Sequence, residues 1–281
     1  RDMSSKGYVD LERGTRGGAN KLVTEAFGTF FLSLALFGLA TDTVLGALGV
    51  GVMLALVTIA CGGGHYNPAI SFAYTVNDGS KPVSALGMIA AQVGGAALAA
   101  VFASKFLGGA AAPGDSDMVT GSVAEGIFVY QLMLTYLASD SGLTIGLSYF
   151  SGLLAFGPAA GSTGNPAIVL GVAVANAATG KGLSLSTVAM ARCAVPLLAA
   201  TVAPYCKGFF ASKVPRGTEF CGAFFLFLGI LALQSNGADG ANLAIGTTLA
   251  TWVAICGTTA SFNPAITVAR LVKTGRFDTW A

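Results

Sequence analysis

The chain has 281 residues, of which 54% are hydrophobic and 10% charged, with a formal net charge of +2 and a mean hydropathy of +0.72. Soluble domains carry about 25% charged residues, so a water-soluble particle of this composition would lack the polar surface it needs. That excludes an ordinary soluble enzyme, a nucleic-acid binder and a disordered segment, and leaves lipid as the solvent for most of the chain.

Residues 1–20 are polar and glycine-rich, carry Arg1, Lys6, Arg13 and Arg16, and contain no apolar run. They read as an N-terminal arm rather than an intact signal peptide, and a processed organellar presequence stays open. Beyond the arm, apolar segments long enough to cross a bilayer recur near 22–40, 44–61, 83–107, 121–139, 143–160, 185–211, 218–235 and 241–257. Eight spans are expected. Shorter apolar segments after Asn67, Asn165 and Asn263 cannot cross and read as re-entrant half-helices. With eight spans, one face receives the basic residues of the arm together with Lys21, Lys81, Lys207, Lys213, Arg216, Arg270, Lys273 and Arg276. The other face receives Lys105 and Lys181. The positive-inside rule makes the N-terminal face the cytoplasmic, matrix or stromal one, so the membrane itself stays open between plasma membrane and an organellar inner membrane. Arg192 falls inside a span and is expected to snorkel or to pair within the bundle. Cys61, Cys193, Cys206, Cys221 and Cys256 lie in or beside apolar runs, follow no disulfide or metal pattern, and read as buried thiols.

Self-comparison organises these spans. Asn-Pro-Ala-Ile occurs at Asn67-Pro68-Ala69-Ile70, at Asn165-Pro166-Ala167-Ile168 and at Asn263-Pro264-Ala265-Ile266, each 98 residues from the next. Each unit also opens with a glutamate in its first span, Glu25, Glu125 and Glu219. The repeats divide the chain into the arm (1–20), unit one (21–108), unit two (109–213) and a partial unit three (214–281). A complete unit crosses the membrane three times, so successive units are inverted.

The triplet has a physical reading of its own. Asn is a favoured N-cap and Pro is pre-organised for the first helical position, so each triplet starts a helix at membrane depth. Two such starts entering from opposite faces bring their dipoles together near the midplane and present asparagine N–H donors to a passing neutral solute. The alternative is that the two helices plug one another in a sealed bundle.

Taken with this layout, Cys61-Gly62-Gly63-Gly64-His65-Tyr66-Asn67-Pro68-Ala69-Ile70-Ser71 resembles the first pore loop of the aquaporin and aquaglyceroporin family, the major intrinsic proteins. The resemblance covers residues 20–211 and implies an all-α membrane protein of inverted repeats. That family has two units, and the third partial unit departs from it. The resemblance further implies that Glu25 and Glu125 support the re-entrant loops or face a polar cavity; Glu219 and His65 are grouped with them. His65 has no second histidine or nearby carboxylate in sequence and is not expected to bind metal. In water-selective members an arginine follows the second triplet, whereas here that position is Ile168. Counting without gaps, the other constriction positions fall on Ala47, Leu153 and Ser162.

An apolar constriction of this kind suits a passive channel for small uncharged solutes that is not strictly water-selective. The alternative is a non-conducting structural subunit of a larger, organellar assembly. A coupled transporter or enzyme is the least supported reading, because the chain has no nucleophile-base pair, phosphate loop or metal site. No cofactor and no nucleic acid are expected; the expected partners are the bilayer, small neutral solutes, and like or unlike membrane subunits. Units one and two are expected to form the barrel with the pair 218–257 outside it, or units two and three to form it with the 83–107 span.

Overall fold

The computed structural model describes residues 18–79, 83–109, 117–160, 163–183, 185–211 and 241–256, with Ala223, Leu226, Phe227, Ile230, Leu231, Asn263, Ile266 and Val272. These residues form α1 (Gly18–Gly38), α2 (Val44–Ala60), α3 (Pro68–Asn77), α4 (Ser84–Phe106), α5 (Met118–Ala138), α6 (Gly142–Ala160), α7 (Pro166–Ala178), α8 (Thr187–Ala211) and α9 (Ala241–Cys256). There is no strand among the described residues. The span expected at 218–235, including Glu219, lies mostly outside them.

Helices α1, α4, α5 and α8 are long and apolar enough to cross a membrane. At 1.5 Å per residue the 17 residues of α2 and 19 of α6 extend about 25–29 Å, close to the thickness of a hydrocarbon core. The helix starts follow local chemistry. Thr43 Oγ1 accepts from the Gly46 N–H at 3.0 Å to begin α2, and Asp117 Oδ2 accepts from the Thr120 N–H at 2.8 Å to begin α5. Large apolar side chains such as Leu45, Ile59, Leu98, Phe106 and Leu198 are exposed on the outer faces, where lipid rather than water meets them.

Packing repeats the symmetry of the sequence. The first and last spans of each unit pair, α1 with α4 and α5 with α8. The half-helices cross over: α7 packs on α4 of unit one, and α3 on α8 of unit two. Helices α2 and α6 join the units along a seam of small residues, where a Cβ on Gly51 would stand 2.6 Å from the Gly146 carbonyl oxygen, and one on Gly146 2.3 Å from that of Gly51. Without a hydrophobic force between helices in lipid, such close backbone approach supplies the association through dispersion contacts. Helix α9, the third copy of α2 and α6, packs against α6 and α5 and buries Trp252 completely.

Candidate functional site

Each of the first two triplets begins a short helix in the way its residues dictate. Asn67 is extended (φ −153°, ψ 120°), its Oδ1 accepts from the Ala69 N–H at 3.0 Å, and Pro68 opens α3. Asn165 repeats this (φ −149°, ψ 105°), with Oδ1 accepting from the Ala167 N–H at 3.0 Å and Pro166 opening α7. The cap fixes the amide orientation and turns each Nδ2 outward. Asn67 Nδ2 donates to the Gly164 carbonyl at 2.8 Å, and Asn165 Nδ2 donates to the Tyr66 carbonyl at 2.8 Å. Each asparagine is therefore bonded to the residue just before the other, so the two helix starts meet tip to tip. Three long helices, α4 to α6, separate the two loops in the chain, so the tips arrive from opposite faces. Both asparagines are buried. An amide nitrogen carries two protons, and the cross-bond uses one of them.

A buried carboxylate holds the first loop. Glu25 Oε1 accepts from the His65 N–H at 2.9 Å, and Oε2 accepts from the Tyr66 N–H at 2.7 Å and from Gln92 Nε2 at 2.8 Å. Gln92 Nε2 also reaches Ser71 Oγ at 2.7 Å, and the His65 ring lies 3.1 Å from the same hydroxyl through Nδ1. The loop's N–H groups, which lipid could not satisfy, thus converge on one negative charge, and charge-assisted bonds of this kind contribute about 1.5–3 kcal/mol each. Glu125 is equally buried on α5. Arg192 stands 100 residues after Gln92, as Glu125 stands 100 after Glu25, so the second unit places a guanidinium where the first has an amide. Arg192 is 2% exposed, which removes the snorkelling alternative and leaves that of a residue held within the bundle, on the packed pair α5 and α8.

The remaining expected residues distribute as follows. Ala47, Leu153 and Ile168 are all buried, and so is Ile70; Ser162 lies outside the described residues. Asn263 is exposed, unlike the two paired asparagines, and Pro264 and Ala265 lie outside the described residues. Cys61 and Cys193 are free thiols. Among the described residues no group of three or more His, Cys, Asp or Glu side chains is placed to hold a metal. Sequence reasoning passed over Gln92, whose signal was an amide inside an apolar span. It also passed over the hydroxyls of Tyr136 and Tyr149. Tyr136 Oη donates to the Gly64 and His65 carbonyls at 3.3 Å each, and Tyr149 Oη donates to the Thr163 carbonyl.

The family described as "Major intrinsic protein" matches residues 41–203, more than half of the chain and the whole stretch that carries both paired triplets. The chain belongs to the major intrinsic protein family. Among its relatives, "Aquaporin NIP1-1" of Oryza sativa subsp. japonica is 30% identical over 181 residues, covering 55% of this chain and 63% of that protein. "Nodulin-26" of Glycine max is 27% identical over 186 residues, covering 54% and 66%. The chain thus spans a little under two thirds of the length of these relatives. The fold is similar to the X-ray structure of the aquaglyceroporin from Plasmodium falciparum, with a TM-score of 0.54 and 18% identity over 67% of this chain and 94% of that one. As a major intrinsic protein it is an all-α integral membrane protein of the aquaporin-like fold.

Proposed function

We propose that the chain is a passive membrane channel for small uncharged solutes, with its waist where the asparagine tips of α3 and α7 meet. The observation that carries this reading is the reciprocal pair of bonds from Asn67 to Gly164 and from Asn165 to Tyr66. It sets two helix N-termini, each worth about half a positive charge, against each other at one depth, and leaves one amide proton on each side for a solute oxygen. A local positive field with neutral donors favours uncharged solutes and disfavours cations. The names of the relatives, aquaporins and an aquaglyceroporin, support passive conduction. Glu25 serves this waist by holding the first loop, and Glu125 is its counterpart in unit two.

Selectivity follows from what lines the expected constriction. Ile168 follows the second triplet where water-selective members have an arginine, Ala47 and Leu153 are apolar, and Ser162 offers a single hydroxyl, so the four give no cationic donor to enforce single-file water. The channel therefore admits small polyols, urea, ammonia or peroxide in addition to water. Stopped-flow shrinkage of proteoliposomes under water, urea and glycerol gradients tests this, and permeability equal to that of empty vesicles for all three overturns it.

One observation favours a second reading, a non-conducting accessory subunit of a larger membrane assembly: a third copy of the repeat is packed against unit two through α9. Purification from the native membrane decides between them, since a chain recovered alone or as a symmetric homo-oligomer is no subunit of a mixed complex.

A further inference from the structure

A re-entrant loop presents backbone carbonyls that no helix satisfies, and at membrane depth each needs a donor. In a filled conduit a solute's O–H or N–H groups supply it. Here two phenol protons are already aimed at three such carbonyls, the first of them shared between two. The Gly64 and His65 carbonyls accept from Tyr136 Oη, and the Thr163 carbonyl accepts from Tyr149 Oη. His65 and Thr163 are equivalent positions, each two residues before its asparagine, so a phenol is seated on the same carbonyl on either side of the waist. Both tyrosines are buried. Their rings are fixed: Tyr74 Oη donates to the Tyr136 carbonyl at 2.8 Å, the His65 and Tyr74 rings stack at 4.8 Å, Tyr136 stands edge-on to both, and Tyr149 packs on Phe128 at 5.1 Å.

Repetition does not explain the arrangement. Both phenols come from unit two, and the matching positions of unit one are Leu36 and Gly51, which carry no hydroxyl. Resting on the channel reading above, we infer that Tyr136 and Tyr149 are specificity-determining residues: their hydroxyls occupy the donor places that a permeating solute needs on the two loops, and their rings set the size limit on each side of the asparagines.

The test is stopped-flow permeability of proteoliposomes carrying the full chain or its Tyr136→Leu, Tyr136→Phe, Tyr149→Ala and Tyr149→Phe variants, with water, urea and glycerol. Tyr136→Leu installs the residue that unit one carries at that place, and the two phenylalanine variants keep the ring, so a folding failure at one position leaves the others readable. The leucine and alanine variants are expected to raise glycerol and urea permeability several-fold over the unaltered chain. The phenylalanine variants, which free the carbonyls and keep the ring, are expected to raise water permeability and leave glycerol unchanged. A conducting unaltered chain whose solute ratios stay the same in all four variants overturns this inference and leaves the channel reading standing. Silence from the unaltered chain and every variant overturns both. Conduction that appears only in the variants overturns both the channel reading of the unaltered chain and the specificity role, since the tyrosines then close the path instead of selecting among solutes.

Discussion

Tyr66 and Gly28 interlock: a Cβ on Gly28 would stand 2.1 Å from Tyr66 Cε1, so the ring of the loop residue fills the space that the span residue leaves empty. The second unit solves the same problem with the partners exchanged. Phe128, 100 residues after Gly28, supplies the ring, and Gly164, 98 residues after Tyr66, supplies the space, with its hypothetical Cβ 2.5 Å from Phe128 Cε1. Tyr66 and Gly164 share a left-handed backbone, with φ of 52° and 59°, a conformation that costs a tyrosine about 1–2 kcal/mol and a glycine almost nothing.

This exchange predicts a compensating pair. Gly28→Phe alone forces a second ring into filled space and costs at least about 1–3 kcal/mol. Tyr66→Gly alone empties it and costs about 3–5 kcal/mol, less the relief of the left-handed backbone. The double variant reproduces the unit-two solution and is expected to recover most of either loss, measured as thermal unfolding in detergent. A double variant no more stable than the worse single one counts against the exchange.

Glu25→Gln is expected to be more damaging than its near-identical shape suggests. The carboxylate accepts from two backbone N–H groups and the Gln92 amide, whereas a glutamine offers one acceptor and turns an NH2 toward donors. The expected loss is about 2–4 kcal/mol in stability, with solute flux falling alongside. Melting curves of the glutamine and aspartate variants beside the unaltered protein measure it; an unchanged midpoint for Glu25→Gln would refute the role given to the carboxylate.

Arg192→Gln is expected to be mild and Arg192→Leu severe. The glutamine reproduces the amide that Gln92 provides to unit one, while the leucine removes a buried guanidinium from the packed pair α5 and α8, which also buries Glu125, at an expected cost of about 3–5 kcal/mol if the two charges are partners. Comparing the two midpoints, and adding Glu125→Leu to the leucine variant, tests the equivalence. Rescue by the second substitution is the expected result.

Asp117 gives a pH dependence with a defined sign. Its carboxylate lies outside the span it starts, and the bond from the Thr120 N–H holds its pKa below the ordinary value of 3.8. A depressed folded-state pKa means that the cap's contribution is complete above the ordinary carboxylate range and is lost as the pH falls through the lower folded value. Asp117→Asn keeps a capping oxygen that does not titrate. The gap between the two proteins' unfolding midpoints is therefore expected to change below about pH 4 and to be constant above about pH 5.

The sequence made the triplets and Glu25 legible for one reason: a helix that begins inside a bilayer has very few ways to satisfy its first N–H groups, and asparagine, proline and a nearby carboxylate are among them. The facing tips followed from the odd number of spans between the triplets. Tyr66 and Gly28 stayed hidden because their exchange with Gly164 and Phe128 breaks the self-comparison where it matters: a glycine aligned with a phenylalanine looks like divergence. Tyr136 and Tyr149 carry no local signal either, since their partners lie at a loop 71 residues away in one case and 14 in the other. For Arg192 the sequence left snorkelling and pairing within the bundle both open, because a basic residue near a helix start ordinarily finds water, and it took the α5–α8 packing to bury it.

The crossed asparagine bonds also impose a timetable on synthesis. When the first loop leaves the ribosome, the Asn67 amide and the Tyr66 carbonyl have no counterpart, because Gly164 and Asn165 are still to be translated. At ordinary elongation rates that delay is about 5–20 s. During it the first loop has water as its alternative partner, and its Asn67 amide and Tyr66 carbonyl exchange that water for protein partners only when the second loop arrives.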